Sequence, residues 1–150
     1  MPIQAVLFDF DGTLADTLPL SFTAFRTVFK QYENRDVTSD ELVAMFGPTE
    51  EEIIEANFSN KAAVPQAIQD YFSIYETGHA GESVRNQEIA GLLQWLKDQG
   101  IKTAVITGKG KRAYQLSSEA LNMREFFQLA ITGDDVVNPK PDPEGIHKAL

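Results

Sequence analysis

The sequence predicts an α/β fold, a parallel sheet whose first strand is followed by a helical insert. Three observations carry this. Short apolar runs recur at 3–8, 101–106 and 128–132, and they are continuous rather than alternating, as in strands covered on both faces. Helical patterns precede the second run and separate it from the third, which calls for crossover connections and parallel pairing. From residue 16 to residue 85 no comparable β-run occurs, so that stretch reads as helices.

Residues 3–8 end in the acidic turn Asp9-Phe10-Asp11-Gly12-Thr13. A helix over 20–32 follows, with Phe22, Phe25 and Phe29 at helical spacing. Ser39 is the expected N-cap of the next helix, with Asp40 and Glu41 in its first turn. Thr49 and Glu52 form a capping-box pattern. Residues 61–77 read as a helix with Pro65 near its start. The sheet side resumes near residue 86. A helix over 86–99 groups Ile89, Leu92, Leu93 and Leu96 on one face, with Gly100 as C-cap. Residues 111–121 form the next crossover helix, and Pro143 suits the first turn of a last one over 144–150.

A chain of 150 residues suits one domain, or one with a small insert. At 43% hydrophobic residues it can bury a core. Its net charge of -9 repels nucleic acid and anionic lipid, so neither is an expected partner. With no cysteine, disulfides, thiolate chemistry and cysteine-ligated zinc are excluded. The N-terminus lacks a basic start, and its apolar run is short for a signal peptide. No stretch approaches the ~18 apolar residues of a membrane span. A cytoplasmic protein is expected.

In doubly wound sheets, chemistry gathers at the carboxyl ends of strands. The predicted ends here are Asp9 to Thr13, Thr107-Gly108-Lys109, and Gly133-Asp134-Asp135 leading to Lys140. Asp9 and Asp11, two apart at an extended strand end, point to one side. Such a pair can hold a divalent cation, and oxygen-only ligation suits magnesium. One carboxylate can attack while the other moves a proton. Thr107 before Gly108 reads by itself as a turn. Lys140 lies in Asn138-Pro139-Lys140-Pro141-Asp142-Pro143, where the prolines fix the backbone and pin a cation suited to phosphate.

Phe8-Asp9-Phe10-Asp11-Gly12-Thr13-Leu14 resembles the first motif of the haloacid dehalogenase superfamily. Val105-Ile106-Thr107-Gly108 and Lys140-Pro141-Asp142-Pro143 resemble the second and third, in the same order along the chain. The resemblance implies a Rossmann-like core over 1–15 and 86–150 with a helical cap over 16–85. It also implies that Asp9 attacks phosphorus to form an aspartyl-phosphate and that Asp11 serves as acid and base. Thr107, Gly108 and Lys140 would hold the phosphoryl group. Mg2+ would sit on the Asp9 carboxylate and the Asp11 backbone carbonyl. An acid at position 11 resembles the phosphate-ester members, and the insertion point resembles the phosphoglycolate phosphatase and β-phosphoglucomutase branch.

The family's fourth motif, an acidic cluster supplying further metal ligands, falls after Lys140. The sequence ends at Leu150 before it, and Gly133-Asp134-Asp135 comes too early to stand in for it. The expectation is a metal site short of acidic ligands and an open apolar edge at 3–8. The chain then reads as a fragment of a longer one, or as one that pairs or swaps with a second copy, with a naturally short protein as the alternative. The expected activity is Mg2+-dependent hydrolysis of a small phosphorylated metabolite, phosphoglycolate-like, sugar phosphate or pyrophosphate. The alternatives are a phosphomutase of the β-phosphoglucomutase type and an inactive fragment that self-associates. Residues 46–50 are the candidate substrate-facing turn, and Arg26, Lys30, Arg35 and Lys61 are the candidate cationic contacts. Lys109, Lys111 and Arg112 begin a helix, where cations oppose the dipole: they read as a solvated basic turn or, alternatively, as cations held there to meet an anion, and His79 and His147 read as surface or packing positions.

Overall fold

The computed structural model describes residues 2–81 and 86–150. Three apolar segments pair as one parallel sheet: β1 (Ala5–Phe8), β2 (Lys102–Ile106) and β3 (Leu129–Ile131), in the order β1-β2-β3. Phe8 lies opposite Val105, and Ile106 opposite Ile131. All three strands therefore stop at nearly the same level, and the loops after residues 8, 106 and 131 emerge side by side. This register makes the site.

Among the described residues, seven α-helices accompany the sheet: α1 (Leu18–Glu33), α2 (Ser39–Met45), α3 (Glu50–Asn57), α4 (Val64–Gly81), α5 (Gln87–Asp98), α6 (Lys111–Ala120) and α7 (Glu144–Ala149). The first four follow β1 directly, as the absence of a β-run there predicts. Thr49 caps α3 in a capping box: the Glu52 carboxylate accepts the Thr49 N–H at 2.8 Å. The cap of α2 differs from expectation by one residue. Thr38, not Ser39, is the N-cap, because Glu41 lies three residues on and accepts the Thr38 N–H at 2.8 Å. On α5, Leu93 and Leu96 are buried but Leu92 is exposed, and Ala90 completes the inner face. Gly100, at φ +69°, follows the last residues of α5 in the left-handed region.

Two apolar clusters result. Phe25, Phe29, Phe58, Tyr71, Phe72 and Tyr75 centre the one built by α1 to α4, with Ala113 of α6 reaching into it. Phe10, Leu14, Leu93, Val105, Tyr114 and Met123 belong to the other, under the sheet. Where α4 meets α6, the Tyr75 hydroxyl lies 2.7 Å from Ser117 Oγ, which lies 2.9 Å from His79 Nε2. His79 is thus a packing residue. Burial, and then the nearby Lys109 charge, push its imidazole below the usual pKa. The far boundary expected for the insert, residue 85, lies outside the described residues. Among those described, no helix is long and apolar enough to cross a membrane.

Candidate active site

Phe10 organises the first loop. It is fully buried, edge-on to Tyr114 at 5.3 Å between ring centroids, so its neighbours Asp9 and Asp11 are left facing the opening above the sheet. Gly12 at φ +74° turns the chain back, and the Phe10 carbonyl accepts the N–H groups of Thr13 and Leu14 at 3.1 and 2.9 Å. Asp9 Oδ1 accepts the Phe10 N–H at 2.8 Å. Asp11 Oδ1 accepts the Thr17 hydroxyl, just before α1.

The second loop leaves β2. Thr107 is buried, its N–H donates to the Ile131 carbonyl at 2.9 Å, and its Oγ1 accepts the Lys109 N–H at 3.1 Å. The third loop delivers Lys140, 34 residues beyond Ile106 in the chain. Lys140 Nζ donates to Asp9 Oδ1 at 3.0 Å and to the Ile106 carbonyl at 2.8 Å. This joins the ends of β1 and β2 through one cation. Glu144 braces that loop by accepting the Val137 and Asn138 N–H groups at 3.0 and 2.8 Å. Those bonds and Lys148 hold its carboxyl down to about 2, the Val137 amide contributing most. Asp134 and Asp135 are spent locally: Asp135 accepts the Thr132 N–H and Asp134 the Lys111 N–H.

Lys109 departs most from the sequence reading. It is not in a solvated turn but only 6% exposed. Its Nζ lies 3.1 Å from Glu50 Oε1, 3.4 Å from Asp11 Oδ1, and 4.9 Å from the centre of the Tyr75 ring. Glu50 Oε2 also accepts the Gly110 N–H at 2.7 Å. Burial alone would lower the pKa of Lys109, but Glu50, Tyr75 and Asp11 outweigh it and raise it well above the usual value. The insert's loop thereby seats on the sheet's loops. A Cβ at Gly133 would come within 2.6 Å of the Gly108 carbonyl and 2.9 Å of Thr49 Cγ2, so that contact requires glycine. By contrast, the proposed cationic contacts point elsewhere. Arg26 binds the Val37 carbonyl and Ser39, Lys30 binds Asp36, Arg35 binds Glu41, and Lys61 binds the Glu55 carbonyl.

Asp9, Asp11, Thr107, Gly108 and Lys140 line one cavity of about 250 Å³. Phe46, Gly47, Pro48 and Glu50 line it from the insert, together with Phe25, a residue that sequence alone marked only by its helical spacing with Phe22 and Phe29. Among the described residues, no group of three or more His, Asp or Glu is arranged to hold a metal ion. The available donors are carboxylate and carbonyl oxygens, the hard ligands that suit Mg2+. That ion commonly takes one or two carboxylates and keeps several waters.

Comparison with known proteins agrees with this architecture. Residues 6–150 match the family model for haloacid dehalogenase-like hydrolases. The pyrophosphatase PpaX of Bacillus cereus (strain B4264) is 31% identical over 151 residues, covering 100% of this chain and 68% of the relative. The crystal structure of CbbY from Rhodobacter sphaeroides in complex with phosphate superposes with a TM-score of 0.82 at 25% identity, over 99% of this chain and 72% of that one. A predicted phosphoglycolate phosphatase from Haemophilus somnus 129PT shares the fold at a TM-score of 0.80, with 18% identity, over 97% and 69% of the two chains. The sequence motifs, the parallel sheet with its helical insert, and these matches together place the chain in the haloacid dehalogenase-like hydrolase family.

Proposed function

We propose that this chain is a magnesium-dependent phosphohydrolase acting on a small phosphorylated metabolite through an aspartyl-phosphate. In this reading residues 16–85 are a cap over a core of 1–15 and 86–150. The observation that carries it is Lys140 Nζ, held 3.0 Å from Asp9 Oδ1 at the mouth of a cavity that Asp11, Thr107 and Gly108 also line. A cation beside a strand-end carboxylate offsets the repulsion between that carboxylate and an incoming phosphate.

The Asp9 carboxylate attacks phosphorus, the bond from phosphorus to the leaving oxygen breaks, and Asp11 gives that oxygen its proton. Asp11, now a carboxylate, then takes a proton from water as the water attacks the aspartyl-phosphate. Inorganic phosphate leaves and Asp9 is restored. The Thr107 hydroxyl, the Gly108 amide and Lys140 hold the phosphoryl oxygens meanwhile. The Asp9 carboxylate and the Asp11 carbonyl would hold Mg2+, which supplies charge neutralisation at the phosphoryl group. The insert loop over the cavity limits water access.

The test is hydrolysis of 4-nitrophenyl phosphate with magnesium by the wild-type chain and by Asp9→Asn. Activity should vanish with chelator and fall at least ~10³-fold in the variant, whose circular dichroism should match wild type. Turnover that survives Asp9→Asn would remove Asp9 as nucleophile.

A further inference from the structure

The two sides of the cavity differ in chemistry. The sheet side presents the groups assigned above to the phosphoryl end. The insert side presents Leu18, Phe25, Phe46, Pro48 and Ile53, with Ser21 and Glu50 as its polar side chains. Ser21 Oγ is 3.0 Å from the buried Tyr71 hydroxyl. Among the described residues, two cations line the cavity, and both are committed. Lys140 is bound to Asp9 and the Ile106 carbonyl. The Lys109 side chain, 2% exposed, lies between Glu50 and Asp11. The remaining cations of the insert that sequence suggested as contacts are bound outside the cavity.

From this we infer that the substrate is a compact phosphate monoester whose remainder carries no charge. The inference rests on the phosphohydrolase reading and narrows it. A second anionic group, whether phosphate or carboxylate, would face the aromatic and aliphatic side chains of the insert side with no uncommitted cation among the described residues to pair with it. A charge taken out of water without a partner is costly. To meet such a group, Lys109 would have to leave Glu50 buried without its cation. A neutral alkyl or aryl remainder meets no such penalty and buries apolar surface against Phe25, Phe46 and Ile53. The volume of about 250 Å³ lies below the ~300–1,000 Å³ usual for small-molecule sites, which limits how much of the remainder this wall can hold. The same wall disfavours pyrophosphate and sugar bisphosphates, which separates this chain's preference from the activity named for its Bacillus relative.

The experiment compares kcat/KM with magnesium within matched pairs, phenyl phosphate against 4-carboxyphenyl phosphate and 2-hydroxyethyl phosphate against phosphoglycolate, with pyrophosphate alongside. The neutral member of each pair should be preferred by at least about tenfold, and pyrophosphate should be poorer than phenyl phosphate. Phe46→Arg, which adds a cation on the half-buried cavity wall, should narrow the preference by raising kcat/KM on the charged members. Equal or better turnover of the charged members by wild type overturns the inference. If no ester is hydrolysed, calorimetric binding of phenylphosphonate and 4-carboxyphenylphosphonate decides separately. A tenfold tighter neutral ligand keeps the inference while the hydrolase reading fails, and equal binding overturns both.

Discussion

Lys109 and Glu50 form a charge pair whose two side chains are 2% and 7% exposed. Removing one partner of such a pair leaves an uncompensated buried charge, at a cost of roughly 3–5 kcal/mol. Lys109→Met should therefore lower stability by about that much in urea unfolding. Glu50→Gln removes the other charge, and the double variant should be more stable than the sum of the singles implies, by about 0.5–3 kcal/mol. Additive losses would mean the two side chains act independently. Sequence reading did not reach this pair. Asp9, Asp11, Thr107 and Lys140 could be picked out because each is tied to a strand end or a proline-fixed loop, places decided by local pattern. The environment of Lys109 is decided by where α3 docks, about sixty residues earlier in the chain, and a lysine between two glycines carries no local sign of it. Its position directly after the Thr-Gly of a strand end was the available hint.

Individual elements were more legible, because their signals are local. The Thr49 and Glu52 box marked the start of α3 correctly, and the three apolar runs located the strands to within a residue or two. The misplaced cap of α2 shows the limit. Thr38 and Ser39 are both good caps, and only the spacing to Glu41 selects Thr38. Similarly, Leu92 lies on the apolar face by spacing but is left outside, since the sheet covers only the arc of Ala90, Leu93 and Leu96. The loop carrying Lys140 is an element of its own, closed by Glu144 onto the Val137 and Asn138 amides. A carboxylate bound this way has a folded-state pKa below its unfolded one. Its contribution to stability is therefore present above the ordinary value of 4.5 and is lost as pH falls through about 2. In a carbon-detected NMR titration the Glu144 carboxyl should keep its ionised shift down to that range. The Val137 and Asn138 amide resonances should move with it. A midpoint near 4.5 would show that the brace does not form in solution.

At the scale of the whole molecule, the cavity exists because two apolar clusters meet across loops rather than merging, apart from Ala113 of α6. The parallel order was legible from alternation of strands and helices, whereas the seating of the insert was not, since no local pattern encodes it. The sheet order leaves β1 at one end, so one flank of its backbone has no strand partner among the described residues. Ile3 beside it is 67% exposed and Ala5 is also exposed. Unpaired N–H and C=O groups next to apolar side chains template pairing with a second chain. The 150-residue chain should therefore associate as its concentration rises, measured by sedimentation velocity. Ile3→Lys with Ala5→Lys should suppress this. The two substitutions move the formal charge from -9 to -7, which weakens general repulsion between copies and would by itself favour association. Loss of association in the variant thus points to the strand edge and not to net charge. A wild-type chain that stays monomeric at high concentration, or a variant that associates as strongly as wild type, would show that β1 does not mediate contact between copies.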